Sequence, residues 1–248
     1  MNENTRVAIC CYTGDQDRVI ANFEMYQHHK CPIVVISPKD AKAWESPDHD
    51  SRFSGLSAYT GQKALDMWRE HLKTLLTFPE NFFLLHEADS MCLEPKLPDY
   101  LYAEPDIFWV NLVDNCIPQQ QEFYPEGFPR VAFQPPWFLS RKTITALLAV
   151  VDDVTPNLNM LYDYWLVQLA VKAKLQWRGL PGAISYPTAE PFWAGAAWDA
   201  VRHRGVTFVH AIKTHDVCTQ LRAARRSFLH GGEHWNSTVG NTKTGKRA

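Results

Sequence analysis

Two carboxylates, Glu87 and Asp89, come just after four apolar residues, Phe82 to Leu85, with His86 between. The apolar run reads as a strand buried on both faces. In an extended chain the i, i+2 spacing puts both carboxylates on one face, about 7 Å apart. On the rim of a buried strand such groups repel each other and lose hydration. A divalent cation relieves both costs, and hard oxygen ligands suit Mg²⁺ or Mn²⁺. The plainer alternative is two solvated acids where a strand meets a loop.

Other residues carry chemistry of their own. Asp163 stands among Tyr162, Tyr164 and Trp165. Aromatic neighbours desolvate a carboxylate and raise its pKa toward the range of a general base; a solvated helix face is the competing reading. His210 closes a short apolar run, and Lys213 follows three residues on. A neutral imidazole completes a metal site begun by carboxylates, and a lysine neutralises phosphate. Taken alone, each reads equally well as an ordinary edge or solvated residue. Lys63, in the first turns of a predicted helix, is either solvated or a phosphate contact. His230-Gly231-Gly232-Glu233-His234 has the H-x-x-E-H spacing of certain zinc proteases. That chemistry needs a helix, where two central glycines cost roughly 1 kcal/mol each, so the run is not read as a zinc site.

The elements that must position these groups follow from periodicity. Val7 to Cys11 reads as a strand ending at the turn Tyr12-Thr13-Gly14-Asp15. Val19, Ile20, Phe23, Met25 and Tyr26 recur at helical spacing. Pro32 to Pro38 is a β-branched run, a second buried strand. Strand, helix, strand is a βαβ unit, which predicts a parallel sheet covered on both faces. Ligands of such sheets bind beyond the carboxyl ends of the strands, where Tyr12, Thr13 and Asp15 are expected. Residues 41–57 read as polar loop. Ala58 to Phe78 reads as a helix, with Leu65, Trp68, Leu72, Leu75 and Leu76 on its apolar side. It feeds into the strand that carries Glu87.

Beyond it, Asp106 to Val113 reads as a strand and Asp114 to Arg130 as a long surface loop. Phe133 to Ser140 resumes the core, and Pro135 and Pro136 predict an edge strand or a bend. Thr143 to Val151 and Met160 to Lys174 read as helices. Val206 to His210 reads as a last short strand. Trp137, Tyr186, Phe192, Trp193 and Trp198 offer flat faces for a sugar or base, or else pack a core.

Composition bounds the reading. The 248 residues are 46% apolar and 21% charged, with a net charge of −2, as in a soluble globular protein with a sizeable core. So small a charge predicts no strong general attraction to nucleic acid or membrane. No apolar run approaches the roughly 20 residues of a membrane span, and the first six residues do not resemble a signal peptide. Cysteines fall at positions 10, 11, 31, 92, 116 and 218 without zinc-site spacing. They read as free thiols in a reducing compartment, so a cytoplasmic protein is expected. From Arg222 to Ala248 six arginines and lysines face one acid, Glu233. Residues 236–248 read as a basic flexible tail, solvated or an arm for a polyanion.

In its order of parts the chain resembles glycosyltransferases of the GT-A fold, over residues 6 to 216. The shared features are an N-terminal βαβ half, an acidic Asp-x-Asp-type motif ending a buried strand, an acceptor half, and a late His-x-x-Lys. The resemblance implies an α/β, Rossmann-like, mostly parallel central sheet with helices on both faces. It implies a single catalytic domain over 1–235, with a donor half about 6–113 and an acceptor half about 114–216. In such enzymes the acidic motif holds a divalent cation, Mn²⁺ or Mg²⁺, on the diphosphate of a nucleotide-sugar donor. By resemblance Asp89 is the main metal ligand, Glu87 a second ligand or a ribose contact, and His210 a further ligand. Lys213 then contacts diphosphate, and Tyr12, Thr13 and Asp15 lie near base and ribose. Lys63 is a further donor contact. Asp163 is the base if the sugar is transferred with inversion, and Trp137 and Trp193 bind acceptor. This chain has Glu-Ala-Asp where Asp-x-Asp is commoner, which bears on Glu87 more than on Asp89.

The expected activity is that of a hexosyl- or pentosyltransferase acting on an acceptor hydroxyl. A hydroxymethylated DNA base, as in phage enzymes, and a cell-envelope glycan are the two acceptors considered. The alternatives are a nucleotidyltransferase acting on a sugar phosphate and a catalytically dead glycan- or nucleotide-binding module.

Overall fold

The computed structural model describes residues 4–10, 16–28, 30–37, 50–53, 61–92, 97–113, 131–154, 161–185 and 207–210. Strand β1 (Thr5–Cys10), helix α1 (Gln16–His28) and strand β2 (Ile33–Ser37) form the expected βαβ unit. A short strand β3 (Asp50–Phe53) extends the sheet beyond β2. It lies inside the stretch expected to be loop. Its sequence, Asp-Ser-Arg-Phe, has no apolar run, and pairing with the edge of β2 is what makes it a strand. Helix α2 (Gly61–Leu76) leads to β4 (Phe82–Glu87). Then come β5 (Met91–Cys92), the short helix α3 (Tyr100–Ala103), β6 (Ile107–Val113) and β7 (Ala132–Ser140). Helix α4 (Arg141–Ala149) starts directly from β7, with the Ser140 hydroxyl accepting the Thr143 N–H at 3.0 Å as its N-cap. Helix α5 (Tyr162–Lys172), β8 (Gln176–Gly179), β9 (Ala183–Ser185) and β10 (Phe208–His210) complete the described chain.

The main sheet has seven strands in the order β3-β2-β1-β4-β7-β6-β8. All run one way except β7, which is antiparallel to both its neighbours. The fold is thus α/β with a mostly parallel sheet, as expected. A second, three-stranded sheet has the order β5-β10-β9; β5, β8 and β9 carry too few apolar residues to be read from sequence.

Strand β7 corrects the edge-strand expectation, since it is paired on both sides. Its prolines are tolerated for a local reason. Pro135 and Pro136 fall at a register shift, because Val110 of β6 pairs with Trp137 and the next residue, Asn111, pairs with Gln134. At that irregularity the missing proline N–H groups remove no regular ladder bond. Asn111 Nδ2 instead donates to the Pro135 carbonyl at 2.9 Å.

Strand alternation divides the core in two. Ala8, Cys10, Phe83 and Leu85 point to one face, packed with Trp68 and Leu72 of α2, Ile144 of α4 and Trp165 of α5. Val7, Ile9 and Leu84 point to the other face, packed with Val19, Phe23 and Tyr26 of α1, Leu101 of α3 and Phe208 of β10. Each fully buried Leu or Phe contributes about 1.5–3 kcal/mol by leaving water, so the sheet is held from both sides. Among the described residues no helix is long and apolar enough to cross a membrane. Cys10, Cys31 and Cys92 are free thiols, with Cys10 and Cys92 buried.

Candidate metal centre

Glu87 is the last residue of β4, at the carboxyl edge of the sheet. Alternation sends His86 toward α1 and Glu87 toward the face covered by α2 and α5. The chain then turns, with the Ser90 N–H donating to the Glu87 carbonyl at 3.0 Å, the i to i+3 bond of a β-turn. Asp89 lies inside this turn. The two carboxylates are therefore brought together by a turn, not by the pleat of one extended strand.

The imidazole arrives through the second sheet. Beyond the turn, β5 pairs antiparallel with β10, Met91 with Val209 and Cys92 with Phe208. Continuing that register by one step sets His210 opposite Ser90, next to Asp89. His210 Nε2 lies 3.6 Å from Glu87 Oε2 and 3.8 Å from Asp89 Oδ1. One ligand atom from each of the three residues lies within 4.8 Å of the others, and all three residues are buried. Two buried carboxylates and an imidazole facing one another suit a divalent cation. This group is the only such cluster among the described residues.

Neighbours tune the site. His210 Nδ1 lies 3.2 Å from Gln134 Oε1; an amide oxygen only accepts, so Nδ1 carries the proton. In the neutral ring this leaves the Nε2 lone pair for the carboxylate side, the arrangement a metal-binding histidine needs. Burial pushes the His210 pKa down, but the Glu87 carboxylate, then the charges of Asp89, Glu87 and Asp163, outweigh it, so the pKa is raised. His86 behaves in the opposite way: burial pushes it down to about 4, so it is neutral.

The sequence-derived candidates fall into three groups. Glu87, Asp89 and His210 converge. Asp163 sits half-buried in the first turn of α5, close enough for its charge to act on His210. Lys63 is exposed in the first turn of α2, the end of that helix that begins at the carboxyl edge of the sheet. Trp137 is a correction to the expected acceptor platform: it is 1% exposed. Its indole N–H donates to the Phe133 carbonyl at 2.8 Å, and its ring meets Trp68 edge-on at 5.0 Å. It packs the core because β7 is central, which turns that face of the strand inward.

Tyr12, Thr13, Asp15, Tyr186, Phe192, Trp193, Trp198, Lys213, the His230–His234 run and the basic tail lie outside the described residues. Sequence reading missed Gln134, Asn22 and Tyr26, which meet the site only in the folded chain. A polar Asn22 on the apolar side of α1 was the one local signal available. Compared with known proteins, the chain matches no family model and no curated protein.

Proposed function

We propose that this chain is a metal-dependent glycosyltransferase that moves a sugar from a nucleotide-sugar donor to an acceptor hydroxyl. The observation that carries the reading is the convergence of buried Glu87, Asp89 and His210 at the carboxyl edge of a mostly parallel sheet, where ligands of α/β sheets bind. The resemblance in the order of parts adds the reaction class.

Asp89, Glu87 and His210 would hold Mn²⁺ or Mg²⁺. Bound there, the cation supplies charge stabilisation for a leaving nucleoside diphosphate. The remaining roles belong to side chains. Gln134 holds the His210 tautomer that presents Nε2. Asp163, acidic and half-buried beside the cluster, is the base that takes the acceptor proton in an inverting reaction. In a retaining reaction it binds the acceptor instead. Lys63 and Lys213 would face the donor phosphates, and Tyr12, Thr13 and Asp15 its base and ribose. With Trp137 in the core, Trp193 is the remaining candidate for an acceptor platform.

The test is a thermal-shift screen of UDP-, GDP-, ADP- and CMP-sugars with Mn²⁺, Mg²⁺ or EDTA. A ligand at about 100 times its dissociation constant stabilises by roughly 2.7 kcal/mol, a shift of a few degrees. The reading expects one nucleotide sugar to give a metal-dependent shift that Asp89→Ala abolishes. A shift with a nucleoside triphosphate alone would replace it with nucleotidyl transfer. Ligand binding that ignores EDTA and Asp89→Ala would point to a binding module without catalysis.

A further inference from the structure

Helix α1 carries two buried polar side chains on the side that packs the core, Asn22 and Tyr26, spaced i, i+4 and so neighbours on one helix face. Val19 and Phe23 on the same side bury only hydrocarbon. Burying an amide or a phenol is costly unless its polar atoms are bonded, so the bonds these two make bear on their role.

Asn22 spans the turn that holds Asp89. Its Nδ2 donates to the Ala88 carbonyl at 3.1 Å, and its Oδ1 accepts the Cys92 N–H at 2.9 Å. One amide thus ties the residue before Asp89 to the third residue after it. Tyr26 acts on the other carboxylate through an intermediary. Its hydroxyl lies 2.8 Å from His86 Nε2, and His86 Nδ1 lies 2.8 Å from the Glu87 carbonyl. A carbonyl only accepts, so Nδ1 carries the proton and Nε2 accepts from the tyrosine. The Glu87 carbonyl is then held twice, by His86 and by the Ser90 N–H that closes the turn. All the groups in these contacts are buried.

We propose that Asn22 and Tyr26 are positioning residues for the cation ligands: from α1 they lock the turn 87–92 so that Asp89 and Glu87 meet His210. The inference rests on the cation site proposed above. A metal site tolerates ligand displacements of only about 0.2 Å, and a four-residue turn with one loose end moves further than that. The bonds of Asn22 run to the Ala88 and Cys92 backbone, and Tyr26 reaches the Glu87 carbonyl through His86. They act on the backbone, and so on the aim of the carboxylates and not on their charge.

The experiment is a Mn²⁺ titration of the full chain without nucleotide, followed by the electron paramagnetic resonance signal of free Mn²⁺. Melting temperature is recorded in parallel. The proteins are wild type, Asn22→Ala, Tyr26→Phe and Leu72→Ala. Leu72 is a buried core residue of α2 and serves as the destabilising control. Asn22→Ala should weaken Mn²⁺ about 10- to 100-fold, the usual effect of losing an outer-shell partner. Tyr26→Phe keeps the ring, removes one hydroxyl, and should weaken binding in the same direction by less. It decides the matter if Asn22→Ala does not fold. Leu72→Ala should melt earlier and bind Mn²⁺ as wild type does. Wild-type affinity in Tyr26→Phe and in folded Asn22→Ala would overturn the positioning role alone. An equal loss in Leu72→Ala would do the same, by reducing the effect to general instability. A wild-type chain that binds no Mn²⁺ would remove the cation site itself, and the clamps' role with it.

Discussion

His71 of α2 should make the protein acid-sensitive well above the carboxylate range. It is 3% exposed, with Nδ1 3.7 Å from Cys10 Sγ and its ring edge-on to Trp68 at 5.9 Å. Burial lowers its pKa from 6.5 to about 4. The unfolded chain therefore binds a proton that the folded chain refuses throughout that window. The stability tied to neutral His71 is fully present above pH 6.5 and drains as pH falls toward 4. At about 1.4 kcal/mol per pKa unit, the whole effect is roughly 3 kcal/mol, a large share of a typical domain's 5–15 kcal/mol. His71→Gln removes the titration and keeps a polar group beside Cys10. Urea unfolding at pH 7.5 and pH 4.5 reads the result. Wild type should lose about 2.5 kcal/mol more than the variant between these conditions, since the last part of the effect comes only below pH 4.5. Equal losses would refute the reasoning. The location gives the effect a functional side. Cys10 pairs across β1 and β4 with Glu87, so the structure loosened by a charged His71 lies directly beside the cation site.

Three further outcomes are expected. Because the His210 pKa is raised and its Nε2 must give up a proton to bind metal, apparent Mn²⁺ affinity should fall tenfold per pH unit below that pKa. His210→Gln should flatten the profile, and an unchanged slope would exclude His210 as the group displaced. Trp137→Ala should destabilise by about 3–5 kcal/mol, as emptying a core site does, measured by chemical denaturation; a loss under 1 kcal/mol would contradict its core placement. Asp163→Asn should leave Mn²⁺ affinity within a few fold and, in an inverting enzyme, cut turnover by about 100-fold or more. Full activity with the correct product would remove Asp163 as the base.

Short-range pattern carried much of this fold and one half of the site. The run Phe82 to Leu85 and the β-branched run after Pro32 are strands because continuous apolar side chains need burial on both faces. The helical spacing of Leu65, Trp68 and Leu72 needs one. Glu87 and Asp89 stood out because two acids closing such a strand repel each other and lose hydration if buried, although solvation at the strand end read as well. Local pattern erred wherever pairing or register decided the outcome. Asp50 to Phe53 became a strand by hydrogen bonding to an edge, which leaves no mark in side-chain chemistry. The prolines of β7 suggested an edge or a bend; the edge was wrong, and a register shift between β6 and β7 accommodates them at the centre of the sheet. That central position then carried Trp137 into the core.

The sequence alone determined which segments must be buried, and that two carboxylates end one of them, because hydrophobic burial and strand alternation act over a few residues. Only the tertiary structure decided that His210 comes to rest between those carboxylates. The pairing of β10 with β5 sets that contact, and Gln134 of β7 and Asn22 and Tyr26 of α1 support it from segments far apart in the chain. Nothing in the local chemistry of any of these residues names its partner. Their meeting follows from how the two sheets and helix α1 pack, which is where the cation site proposed here takes shape.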